Sequence, residues 1–150
     1  MKRAADWELR FESAETEDIR RIFSLSKALI DQYEDVDSID YEKVLQWVGQ
    51  KIENEIDAYT RICSRGETVG YYRLHEENGE TELDDFYVLP PFRGKGIGTA
   101  VLEKCICETK TPMFLYVFKN NVGAIRLYER MGFVRTKDVG KTRMILRRDG

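Results

Sequence analysis

The alternation of apolar and polar residues changes period several times along the chain, and those changes mark its elements. From Trp7 to Glu12 large apolar side chains alternate with polar ones, the period-two pattern of a half-buried strand. Thr16, followed by Glu17 and Asp18, reads as a helix N-cap with acids in the first turn, and Ile19, Ile22, Phe23, Ser26 and Ile30 then recur at helical spacing. A second helix is predicted after Ser38, through Tyr41, Val44, Leu45 and Val48. Three strand-like runs follow, Ala58 to Ser64, Thr68 to Glu76 and Thr81 to Val88. Arg65-Gly66-Glu67 separates the first two and Asn78-Gly79, a strong hairpin signal, the last two, so an antiparallel meander is predicted. Pro90 and Pro91 end the third run, because proline cannot donate to a strand ladder. A helix from Gly98 to Thr109, a strand from Met113 to Phe118, a helix from Val122 to Met131 and two final strands complete the order. Hairpin-linked strands that give way to strands alternating with helices imply a mixed α/β sheet.

Length and composition narrow the picture. At 150 residues, with no repeat, low-complexity tract or Pro/Gly/Ser-rich linker, residues 1–150 are expected to form a single domain. With 42% hydrophobic and 34% charged residues and no long apolar run, the chain reads as water-soluble and globular. Met1 to Asp6 lacks the apolar stretch of a secretory signal, so a cytoplasmic location is expected. Three cysteines, Cys63, Cys105 and Cys107, form no Cys-x-x-Cys pair and fall in strand-like and helix-like segments, as reduced core thiols do. His75 is the sole histidine, which excludes a multi-His metal site, and no metal is expected. A net charge of −3 offers no general attraction to nucleic acid or an anionic membrane, so any anion site must be local.

One local candidate stands out, in the run Val88-Leu89-Pro90-Pro91-Phe92-Arg93-Gly94-Lys95-Gly96-Ile97-Gly98-Thr99. Alternating glycines allow several backbone N–H groups to converge at the start of the following helix, where an anion is favoured, and Arg93 and Lys95 add charge for a phosphate-bearing ligand. A dinucleotide fingerprint is excluded, because Thr99 or Val101 stands where its third small residue is required. A P-loop is excluded too, because Gly96 follows Lys95 and Pro90 lies five residues before it. A purely structural turn remains open on the loop alone. Downstream, Ala124, Leu127, Tyr128 and Met131 share a helical face that Gly132 is placed to end, and a plain amphipathic helix with Tyr128 in the core is the alternative there.

Arg93-Gly94-Lys95-Gly96-Ile97-Gly98, together with Asn121-x-x-Ala124-x-x-Leu127-Tyr128-x-x-x-Gly132-Phe133, resembles the GCN5-related N-acetyltransferase (GNAT) family. The resemblance implies a single domain whose central, mostly antiparallel sheet of six to seven strands is splayed at the cofactor site and flanked by four helices. It implies that acetyl-CoA enters between the strand ending at Val88 and the strand Phe114 to Phe118. The pyrophosphate would rest on Arg93, Gly94, Lys95, Gly96, Ile97, Gly98 and Thr99, and the pantetheine arm would pair with Phe86, Tyr87 and Val88 and meet Asn121. One N–H of that strand would polarise the thioester carbonyl, and Tyr128 would protonate the departing thiolate.

Acyl transfer to an amine needs the amine neutral, and a carboxylate near the thioester would help. Strict alternation would put Glu82, Asp84, Phe86 and Val88 on one face of their strand and Leu83, Asp85 and Tyr87 on the other, nominating Asp84 and Glu82, or else Asp85, as base. Between Asp31 and Glu42 the acids Asp31, Glu34, Asp35, Asp37, Asp40 and Glu42 interleave with Tyr33 and Tyr41, a wall suited to a cationic amine unless it is a solvated loop. The expected activity is direct acetyl transfer from acetyl-CoA to a small primary amine. The alternatives are acetylation of a protein N-terminus or lysine, and a non-catalytic acyl-CoA-binding regulatory module. Oligomeric state is left open, a homodimer included.

Overall fold

A computed structural model describes residues 7–149; the Met1 to Asp6 segment used in the leader argument lies outside the described residues. Seven strands form one sheet in the order β1-β2-β3-β4-β5-β7-β6. They are β1 (Leu9–Ser13), β2 (Tyr59–Ser64), β3 (Glu67–Glu77), β4 (Glu80–Val88), β5 (Met113–Phe118), β6 (Val134–Val139) and β7 (Arg143–Arg148). Four helices flank them: α1 (Ile19–Tyr33), α2 (Tyr41–Asn54), α3 (Ile97–Glu108) and α4 (Val122–Arg130). The expected mixed sheet and helix count are present, and no helix among the described residues is long and apolar enough to cross a membrane.

The turns behave as their residues dictate. Arg65-Gly66 and Asn78-Gly79 all take positive φ, the geometry of two-residue hairpin turns whose twist matches that of the strands. Gly132, at φ +92°, ends α4 in the left-handed conformation that glycine adopts without strain. The start of α1 departs from expectation. Thr16–Asp18 is a short 3₁₀ turn whose cap is Glu15, because the Asp18 carboxylate accepts from the Glu15 N–H at 2.8 Å. Asp18 is buried and also accepts from Tyr71 and Arg61, so it anchors this turn to the sheet.

Each face of the sheet has its own core. On one face Ile97, Val101, Leu102 and Cys105 of α3 and Tyr128 of α4 pack on Leu83, Leu115 and Leu146. On the other, Ile22, Ile30, Val48 and Ile52 of α1 and α2 pack on Tyr59, Tyr71 and Phe118.

Two irregularities shape the centre. First, β4 and β5 run parallel and pair only at Thr81 with Met113 and Glu82 with Phe114, after which they part. Second, between the pairs Tyr71 with Tyr87 and Arg73 with Asp84, β4 contains one residue more than β3, a bulge at Asp85-Phe86. Asp85 takes φ +47°, a left-handed conformation that costs a non-glycine residue about 1–2 kcal/mol. A bulge bends its strand, and the parting of β4 from β5 lies alongside it. The bulge also overturns the strict alternation expected of this strand. Phe86 and Val88 fall on the face of Leu83, packed against the α3 core, while Glu82, Asp84, Asp85 and the Tyr87 side chain turn toward α2.

Candidate active site

Where the strands part, two cavities meet from opposite faces of the sheet. The first, about 620 Å³, is walled by Phe86 and Val88 of β4, by the loop from Phe92 to Thr99 and by Gly123, Ala124, Leu127, Tyr128 and Arg130 of α4. Gly94 and Gly96 take φ +74° and +88°, and Gly96 caps α3, so the first N–H groups of that helix lack intrahelical partners and are available to an anion. Arg93 donates from Nε to the Val88 carbonyl at 2.7 Å, tying the loop to the end of β4. Lys95 is exposed and lies off the groove wall.

The second cavity, about 450 Å³, lies on the α1 and α2 side and is lined by Glu34, Trp47, Lys51, Asp84, Asp85 and Tyr116 among others. Phe86, Ala124 and Tyr128 border both cavities. Tyr128 is 9% exposed, and burial, with the nearby Asp84 charge, raises its pKa, so the phenol holds its proton at neutral pH. Asn121 caps α4, accepting from the Ala124 N–H at 3.4 Å, and lines this second cavity and not the glycine-loop groove.

The β4 acids enter a network whose other members the sequence did not reveal. Lys51 Nζ lies 2.7 Å from Asp84 Oδ2 and 3.2 Å from Asp85 Oδ2. Asp85 also accepts from the Tyr59 hydroxyl at 2.5 Å and the Tyr87 hydroxyl at 2.7 Å. Arg73, 4% exposed, reaches Asp84 at 3.4 Å and pairs with Glu55. Burial foremost and then the Asp85 charge raise the pKa of Asp84, against the opposing pull of Lys51 and Arg73. Glu82 lines an adjoining outer cavity of about 750 Å³ together with Asp84, Glu55 and Trp47. Its carboxyl is likewise raised by burial first and by Asp84 second. Lys51 follows Trp47 by one helical turn beside the buried Val48 and Ile52, a position on α2 that nothing in the sequence distinguishes from an ordinary surface lysine.

The acidic stretch between α1 and α2 contributes less than its composition suggests. Asp31 binds Lys27 and Tyr41, Asp35 accepts from Ser38, and Asp40 caps α2. Of its acids only Glu34 reaches the cavity, and there Thr142 donates to it at 2.5 Å. Tyr33 stacks on Phe118. The three thiols stand apart from both cavities. Cys105 is buried and pushed up to about 11 by desolvation, Cys107 is exposed, and Cys63 lies near Glu12 on β1.

Residues 17–133 match the model of the acetyltransferase (GNAT) family. Spermine/spermidine N(1)-acetyltransferase of Bacillus subtilis is 36% identical over 70 residues, covering 41% of this chain and 44% of that protein. Mycothiol acetyltransferase of Salinispora tropica is 31% identical over 80 residues, 47% of this chain and 26% of that protein. These matches therefore span less than half the length of either relative. Among solved structures, PaiA N-acetyltransferase of Thermoplasma acidophilum in complex with coenzyme A aligns over 95% of this chain and 99% of that one, with a TM-score of 0.72 at 18% identity. An acetyl-CoA-bound GNAT acetyltransferase of Elizabethkingia anophelis aligns over 67% of this chain and 82% of that one, with a TM-score of 0.60 at 17% identity. The glycine loop before α3, the strands parted at Glu82 and the motif along α4 are thus parts of one shared fold, and the chain belongs to the GNAT family of acetyltransferases.

Proposed function

We propose that the chain transfers an acetyl group from acetyl-CoA to a small primary amine that arrives as a cation. The observation that carries this reading is the position of Tyr128, bordering both cavities where they meet. The cofactor would lie in the groove of the glycine loop, its pyrophosphate on the first N–H groups of α3 and its pantetheine along Phe86 to Val88. The acceptor would enter from the α2 side, past Asp84, Asp85 and Glu34. Similarity to the spermine/spermidine acetyltransferase of Bacillus subtilis supports an amine of this class.

The chemistry follows from the side chains present. Asp84 takes one proton from the ammonium, and the nitrogen lone pair attacks the thioester carbonyl carbon. As the C–N bond forms, the carbonyl oxygen becomes an oxyanion, which a β4 backbone N–H would stabilise. The C–S bond then breaks, and Tyr128 gives its proton to the thiolate sulfur. Nitrogen, now positively charged, is far more acidic than a phenol, so its remaining excess proton restores Tyr128 and no phenolate is left in a buried site. Asp84 releases its proton to solvent. No cysteine takes part.

The test is release of CoA thiol with acetyl-CoA and a panel of mono- and polyamines. Turnover with small cationic amines is expected. An absence of both turnover and acetyl-CoA binding at millimolar cofactor would overturn the reading.

A further inference from the structure

The β4 bulge brings two consecutive acids to the same side of the sheet and sets one lysine between them. Alternation alone would separate Asp84 and Asp85 across the sheet; the left-handed Asp85 turns both toward α2. Lys51, mostly buried, then meets both carboxylates, at 2.7 and 3.2 Å. The two acids are not equivalent. Asp85 accepts from Tyr59 and Tyr87 as well, so three donors converge on its carboxylate, and both phenols are held protonated by burial and by the Asp85 charge itself. Asp84 lines both acceptor-side cavities.

If Asp84 stood alone with Lys51, protonating it would strand a buried ammonium without a counter-charge, a strongly unfavourable arrangement. The second carboxylate removes that cost. Resting on the reading of Asp84 as the base, we propose that Asp85 and Lys51 are positioning residues for the transfer: Lys51 keeps its counter-charge on Asp85 when Asp84 takes the proton of the acceptor amine. Asp85 thereby favours the protonated form of Asp84 while Lys51 favours the ionised form, and the pair sets how strong a base Asp84 is. The other charged or titratable groups around Asp84 are Arg73 and His75 of β3, with Glu55 beside Arg73, Glu82 on its own strand, Glu34 at the end of α1, Arg143 of β7, and the phenols of Tyr59, Tyr87, Tyr116 and Tyr128. None of these bridges the two aspartates as Lys51 does.

The experiment is the pH profile of kcat/KM for one amine, compared across variants so that the titration of the substrate cancels. Asp85→Asn removes a negative neighbour, so the acid limb moves to lower pH by about one unit. Lys51→Met removes a positive neighbour and moves the limb to higher pH by a similar amount. Lys51→Arg keeps the charge and returns the limb to its wild-type position. A purely structural role predicts reduced thermal stability with the limb unmoved in every variant, and that result overturns the proposal, as does movement in the same direction for both charge-removing variants. Where Asp85→Asn fails to fold, the contrast of Lys51→Met with Lys51→Arg reads the same limb. A wild-type chain that shows no turnover overturns the assigned function along with this inference; turnover with an unmoved limb overturns this inference alone.

Discussion

Replacing Gly70 with alanine tests whether the close contact of β3 with β4 fixes the cofactor side of the site. Gly70 is buried on β3 and pairs with Val88 on β4. A Cβ added there would stand 2.2 Å from the Tyr87 carbonyl oxygen and 3.2 Å from Ile62 Cδ1. The isoleucine end can swing aside, but the carbonyl is backbone. Since Cβ atoms essentially never approach closer than 3.0 Å, the strands must separate by at least about 0.8 Å at this pair. Overpacking of this kind costs about 1–3 kcal/mol, and in a domain of this size about 2–4 °C of Tm is lost per kcal/mol, so a fall of about 2–12 °C is expected. The segment displaced is Phe86 to Val88, the strand end assigned to the pantetheine arm. Misplacement near an ångström can cost two orders of magnitude in rate, so kcat/KM for acetyl-CoA should fall about tenfold or more. Thermal melts with and without CoA, together with steady-state kinetics, measure both effects. A variant that melts within about 1 °C of wild type with unchanged kinetics would refute the reasoning, because the strands would then have room that the geometry denies them.

Other outcomes follow from the same geometry. Tyr128→Phe should lower kcat about 10²–10³-fold with little change in KM for acetyl-CoA, read as CoA thiol release; an unchanged kcat would remove the acid role. Gly94→Ala meets nothing within 4 Å, so its loop has room to relax away from φ +74° and the free domain should melt almost normally, while recovering that φ on binding costs about 1–2 kcal/mol and lowers cofactor affinity about five- to thirtyfold by calorimetry. Glu82 has a folded-state pKa raised by burial, so its contribution to stability is present at low pH and lost as pH rises through that value; Glu82→Gln should therefore melt higher than wild type at pH 7 and no higher in acid. With Cys105 pushed up to about 11, iodoacetamide near neutral pH should label exposed Cys107 in preference, and intact-mass spectra after acetyl-CoA treatment should show no acetyl-thioester.

The elements were legible in the sequence because hydrophobic period and turn residues agreed at nearly every boundary, as at Asn78-Gly79 and Gly132. The bulge on β4 was not. Asp85 adopts a positive φ with no glycine or asparagine to announce it, and a single extra residue reverses the face of everything beyond it. That is why strict alternation sets Phe86 and Val88 beside Asp84, whereas in the fold they pack on the opposite face. Lys51 carries no local sequence signal because its partners are more than thirty positions away in the chain. The acids from Asp31 to Glu42 show the converse: caps and local ion pairs absorb several of them, and composition does not distinguish an acid that caps a helix from one that lines a cavity.

The short seam between β4 and β5 also bears on how the chain folds. β2, β3 and β4 are joined by tight hairpins, and so are β6 and β7, so much of each half-sheet closes through contacts near in sequence. The parallel pairing at Thr81 and Glu82 comes last in this scheme, since it closes a loop through α3 and rewards that closure with only two paired positions. Folding should thus end with the docking of two preformed halves. The seam left for that final step has few paired positions to protect it, and a ligand spanning it should slow amide exchange on both halves at once.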